Sequence, residues 1–95
     1  MSEMQPAESH VQIDNERLRV TEWRFTPGAH TGWHRHQHDY VVVPLTSGRL
    51  RLDEPEGTRE VNLTLGGSYT RKAGVEHDVI NANAHDFRFI EIELK

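Results

Sequence analysis

The stretch "HTGWHRHQHDY", residues 30–40, places His30, His34, His36 and His38 within eleven positions. Imidazole is the commonest metal-binding side chain, so this density raises the prospect of a metal site. In a strand, successive side chains alternate faces, and His34 and His36 then project from the same side. Two imidazoles so placed reach one ion. Zinc, iron, nickel, copper and manganese all accept imidazole nitrogen, and a sulfur-free set does not choose among them. The same letters also suit a solvated polar turn. Both readings stand until the rest of the chain is considered.

The elements that must position these histidines are strands. After residue 9, apolar and polar residues alternate with a period of two along most of the chain, the pattern of half-buried strands. "GRLRLDE" sets Leu50 and Leu52 inward with Arg49, Arg51 and Asp53 outward, and "REVNLTL" repeats this with Val61, Leu63 and Leu65 inward. Between them, "DEPEGT" predicts a hairpin turn. In "RLRVTEWRF", Leu18 and Val20 share one face while Trp23 and Phe25 share the other, which predicts a bulge near Thr21–Glu22. "DFRFIEIELK" slips in the same way, from Phe87 and Phe89 to Ile90, Ile92 and Leu94, and predicts a second bulge. Pro44 interrupts "DYVVVPLTSG"; proline donates nothing to a ladder, so an edge or bulge is expected there. Turn signals recur at "PGAHTG", "SG", "EPEG", "GG", "AG" and "NAN", and no window carries a helical stripe. The fold class is therefore all-β, an antiparallel sandwich or barrel. Residues 1–9 are small and polar and read as a flexible arm, leaving residues 10–95 as one domain.

The totals exclude several classes. Eleven Lys and Arg are interspersed with fifteen Asp and Glu, for a formal charge of −4, and no basic block exists to grip nucleic acid. No apolar run approaches the length that spans a bilayer. The opening "MSEMQPAESH" lacks the regions of a signal peptide, so a cytoplasmic protein is expected. With no cysteine, neither disulfides nor thiolate ligands are available.

Two spaced motifs then separate the readings of the histidines. In the first, Gly28 is followed by five residues, then His34-Arg35-His36, with Gly48 closing the segment. In the second, Gly66 leads through "GSYTR" to Lys72, Gly74, His77 and Asn81. In this order and spacing the sequence resembles the cupin superfamily. Two positions depart from it: Tyr40, or Val41 by the alternative count, stands where the family has a glutamate, and Lys72 stands where it has a proline. One extra residue between Tyr40 and Gly48 falls near Pro44.

The resemblance implies an antiparallel double-stranded β-helix, the jelly-roll cupin barrel. It implies that His34, His36 and His77 ligate one divalent transition metal (Fe, Ni, Zn, Mn or Cu, not distinguished). A ligand set without the carboxylate leaves the ion its full formal charge, which favours anionic co-ligands or substrates and acidifies bound water. Three-histidine cupins include thiol and diketone-cleaving dioxygenases. The expected function is an oxidoreductase of dioxygenase type, acting on a small polar or anionic metabolite of amino-acid or amine catabolism. The alternative is a non-catalytic ligand-binding or accessory module that keeps the metal site, since so short a chain spares no lid. Tyr40 and His38 are candidates for a fourth ligand or a substrate contact, and Tyr40 is the one candidate catalytic group. Its rival role is plain pocket wall. Gly66, Gly74 and Asn81 are expected to shape the second motif, Asn81 by fixing a turn near His77. Asp39 points away by parity; His30 is unassigned; His10 and His85 read as surface. Trp23, Trp33, Phe25, Phe87 and Phe89 read as core or interface. A homodimer is expected, because small cupins often pair and pairing protects sheet edges.

Overall fold

The computed structural model describes residues 4–95. Among them run β1 (Glu8–Asp14), β2 (Leu18–Phe25), β3 (His34–Arg35), β4 (Asp39–Pro44), β5 (Gly48–Glu54), β6 (Gly57–Leu63), β7 (Tyr69–Arg71), β8 (Glu76–Asn81) and β9 (Phe87–Leu94). They form two sheets, ordered β1-β2-β9-β4-β7 and β3-β8-β5-β6. All ladders between these strands are antiparallel. From β2 onward the chain crosses between sheets at almost every connection, which winds it into the expected jelly roll. No helix among the described residues is long and apolar enough to cross a membrane.

The predicted hairpin is present, with Glu54 opposite Gly57 across the β5–β6 turn. Leu50 and Leu52 are buried at 1% and 4% exposure, and Val61 and Leu63 pack against the core. Leu65 does not follow them: it lies past the end of β6 and is 61% exposed. Pro44 ends β4, an interior strand. The Leu45 amide donates to Arg88 of the β9 strand, so position 44 turns its backbone nitrogen to the opposite side. There β7 pairs only with Tyr40, Val41 and Val42, so the missing N–H leaves no ladder bond unmade.

Neither predicted bulge in β2 or β9 exists. The two strands pair without a break from Leu18 opposite Leu94 to Phe25 opposite Phe87. The inward phase of Phe87 and Phe89 runs straight on to Glu91 and Glu93, and that of Phe25 and Trp23 runs back to Thr21 and Arg19. Thr21 and Glu91 on this phase are buried while Val20 and Ile92 are half-buried; Glu22, on the outward face, is buried too, where Arg24 and Arg88 bond its carboxylate. The interior changes from apolar to polar along an unbroken strand pair. A register shift does occur in β1, between Val11 and Ile13.

The barrel therefore has an apolar end, built on Phe25, Phe87, Phe89, Val42, Leu50 and Val79. Phe25 and Phe89 meet at 5.5 Å between ring centroids. Each such side chain contributes roughly 1.5–3 kcal/mol by burial. The arm expected over residues 1–9 falls partly outside the described residues. From Gln5 onward the chain is tied down: Ala7 N–H donates to the His30 carbonyl (2.8 Å), His30 N–H to the Gln5 carbonyl (2.9 Å), and β1 begins at Glu8.

Candidate metal centre

Three imidazoles converge at the polar end. His34 lies directly opposite His77 in the β3–β8 ladder, so both point to the same face. His36 follows two residues later, anchored by its amide to the Val75 carbonyl (2.9 Å) and by its carbonyl to the Gly74 amide (2.8 Å). Gly74 makes that return with φ +95°, a left-handed turn that a side chain would strain. The Nε2 atoms of His34 and His36 are 3.0 Å apart, and those of His36 and His77 are 3.1 Å apart. All three donor atoms lie within 4.8 Å of one another. Neighbouring ligands on one first-row ion, with bonds of about 2.0–2.1 Å, stand at about this separation.

The protonation states suit ligation. His34 Nδ1 donates to the Gly32 carbonyl at 2.9 Å, which fixes that tautomer and leaves Nε2 with a lone pair. Burial pushes His36 down to about 4 and His77 to about 3, with neighbouring positive charge adding to the effect. Both imidazoles are neutral at pH 7. Three nitrogen lone pairs on one point repel unless a cation is shared among them, so the donor set fits a divalent metal. His77 Nδ1 is buried without a hydrogen-bond partner, and so is the Tyr40 hydroxyl.

Tyr40 stacks on His36, rings 3.8 Å apart and 19° from parallel. Burial raises its phenol well above the ordinary value, so the side chain is neutral and its ring backs His36. His38 is half-buried at the rim of the cleft and lies outside the three-histidine group. Asp39 is exposed and accepts the Ala73 amide at 2.9 Å, bracing the turn before Gly74. His10 and His85 are exposed, as is Trp33 at 54%.

The segment before His34 is held along β8. Gly28, Thr31 and Ala29 exchange backbone bonds with Asn81 and Val79. His30, unassigned from sequence, pairs through Nδ1 with the Asp78 carboxylate at 2.8 Å, and the same carboxylate accepts the Gly32 amide at 3.0 Å. That pair sets the loop from which His34 is presented. Asn81, 1% exposed, donates through Nδ2 to the carbonyls of Thr26 (3.1 Å) and His85 (2.9 Å) and accepts from Asn83. Gly66 turns with φ +79° and donates to the Pro44 carbonyl.

An open cleft of about 400 Å³ leads from solvent to His34 and His36, and a small cavity lies beneath it. Its far wall comes from β2 and β9, with Trp23 and Glu91 facing both spaces. Sequence reasoning missed Glu91, because the supposed phase slip turned it outward. Carrying the phase of Phe87 and Phe89 two residues further would have found it.

The fold has counterparts among known proteins. Residues 21–93 match the model of the cupin domain family Cupin_2. The chain is 64% identical, over 85 residues covering 90% of each chain, to the β-alanine degradation protein BauB of Pseudomonas aeruginosa. It is 58% identical to a crystal structure of a cupin domain from Bordetella pertussis Tohama I, with a TM-score of 0.98 over 100% of this chain and 99% of that one. A double-stranded β-helix protein from Klebsiella pneumoniae, 20% identical, shares the fold with a TM-score of 0.79 over 99% of this chain and 81% of its own.

Proposed function

We propose that this chain, which belongs to the cupin domain family, is a metal-dependent protein of amine or amino-acid breakdown. In this reading His34, His36 and His77 hold one divalent transition metal, and the cleft beside them receives a small amine or amino acid. The convergence of three Nε2 atoms carries the proposal. The relative named for β-alanine degradation supports the catabolic part and lends nothing to a dioxygenase, so no oxidant is built in. An ion bound here supplies a Lewis-acid centre that keeps its formal charge, because no ligand is anionic.

The surrounding residues prepare that centre. The Gly32 carbonyl holds the His34 tautomer, and Tyr40 fixes the plane of His36. The aromatic end of the barrel closes the site from below. Elemental analysis of the purified protein, offered Fe(II), Mn, Ni and Zn in turn, is expected to find one metal per chain. With that metal present, β-alanine is expected to bind, and proton NMR of the same sample reports whether it is turned over. A ligand-induced rise in melting temperature without product would favour the binding-module reading, which the open cleft supports. Failure to retain any metal would overturn both.

We also propose a homodimer through the outer face of the larger sheet. Ile13 and Leu94 are exposed there at 48% and 45%, beside half-buried Leu18, Val20, Ile90 and Ile92. Apolar faces of this kind mark association surfaces. Light scattering is expected to give twice the 11.0 kDa chain mass for the wild type and the single mass for Ile13→Glu. A monomeric wild type at micromolar concentration would remove the proposal.

A further inference from the structure

Across the barrel from the histidines sits a carboxylate with no cation to answer it. Glu91 is 8% exposed, on β9 between Thr21 of β2 and Val42 of β4. It faces both the open cleft and the small cavity beneath. No Lys, Arg or His nitrogen among the described residues lies within salt-bridge distance of it. Arg19, which lines the cleft, is engaged by Asp14 at 3.5 Å and Glu93 at 3.9 Å, and Arg71, which lines the small cavity, by Glu54 at 3.5 Å. Beside Glu91 stands Trp23, whose buried indole N–H favours the ionised carboxylate without reaching full hydrogen-bond geometry. A buried carboxylate without a counter-charge is costly, and proteins retain one where something completes it.

The carboxylate does not belong to the histidine cluster, which gathers His34, His36 and His77 alone. It therefore meets a different part of whatever enters. A carboxylate that lines a cleft recognises an organic cation by charge-assisted hydrogen bonds. We propose that Glu91, with Trp23 beside it, is the subsite for the ammonium group of the ligand. The ligand class is then a short primary amine whose other end carries an oxygen or anionic group directed to the histidines. Burial and the neighbouring Glu93 hold the Glu91 carboxyl up at about 7, and a bound ammonium would restore its ionised form.

The inference rests on the metal-dependent amine reading for the far end of the ligand, and its test separates the two. Calorimetric titration of the full metal-loaded chain would use β-alanine and propionate, which differ by the ammonium alone. β-Alanine is expected to bind at least tenfold more tightly. Glu91→Gln should weaken β-alanine by about 10- to 100-fold, the scale of a lost charge-assisted hydrogen bond, and leave propionate within twofold. Glu60→Gln, at an exposed carboxylate of β6 paired with Arg49 and remote from the cleft, should change neither by more than threefold. If Glu91→Gln folds poorly, Glu91→Met repeats the comparison with similar volume. Equal affinity for the two probes, no binding of β-alanine, or equal losses for both probes in the variant would overturn the subsite. Elemental analysis of the same samples reports separately on the metal: discrimination lost on Glu91→Gln in a chain that holds no ion would uphold the subsite and remove the metal.

Discussion

His77→Ala is expected to lose the metal, with affinity falling by at least 100-fold. Removing a partner that merely orients a ligand costs about 10- to 100-fold, and His77 is placed to be a ligand itself. Its Nε2 stands 3.1 Å from that of His36, and its strand position opposite His34 admits no substitute. His77→Gln keeps most of the volume and separates loss of the donor from loss of packing. Equilibrium dialysis against the retained ion would show the change, and a variant holding metal as tightly as the wild type would remove His77 from the site.

The same substitution carries a pH signature in the metal-free protein. His77 has a folded value near 3, below the 6.5 of a free imidazole. As pH falls below 6.5 the unfolded chain takes up a proton that the folded chain refuses, so stability drops until the pH approaches 3. At pH 5 the penalty from this residue is roughly 1–2 kcal/mol, and it vanishes in His77→Ala. Urea melts of both chains at pH 7 and pH 5 would expose the difference.

Asn81→Ala is expected to cost about 3–5 kcal/mol, a large share of what a domain of this size possesses. Its side chain, itself 1% exposed, answers the Phe25, Thr26 and His85 carbonyls and the Asn83 amide, and truncation removes all four bonds at once and leaves a void in their place. Asn81→Asp is the sharper probe. It keeps the size and one acceptor but turns a second oxygen toward carbonyl oxygens, so it should destabilise at least as much. A loss below 1 kcal/mol for either variant, by chemical denaturation, would mean that the loops it joins are held by something else.

Much of this was legible in the letters. The hairpin at "DEPEGT" could be placed because two alternating runs flank a Pro-Gly turn, and its register followed. His34 and His36 followed from strand parity; His77 came from resemblance, since nothing local ties position 77 to position 34. Two features were illegible for one shared reason. Alternation reveals the buried face only while that face is apolar. Where β2 and β9 reach the site, the inward positions become Arg19, Thr21, Glu91 and Glu93, and the half-buried outward face carries Val20, Ile90 and Ile92. A polar interior and a one-residue slip then give the same pattern. Two paired strands changing phase at facing positions is the sign that tells them apart, because independent bulges have no reason to coincide.

The closeness of His36 to His77 bears on how the chain is held together. They are 41 positions apart, so the cluster joins the end of β3 to β8 across nearly half the sequence. An ion shared between them would close that loop as a cross-link, in a protein that owns no cysteine with which to make one. The chain-entropy model for a disulfide closing a loop of that length gives about 4 kcal/mol at 25 °C. The histidines would then be the removable fastening of the barrel, and a chelator would act on this protein much as a reductant acts on a secreted one.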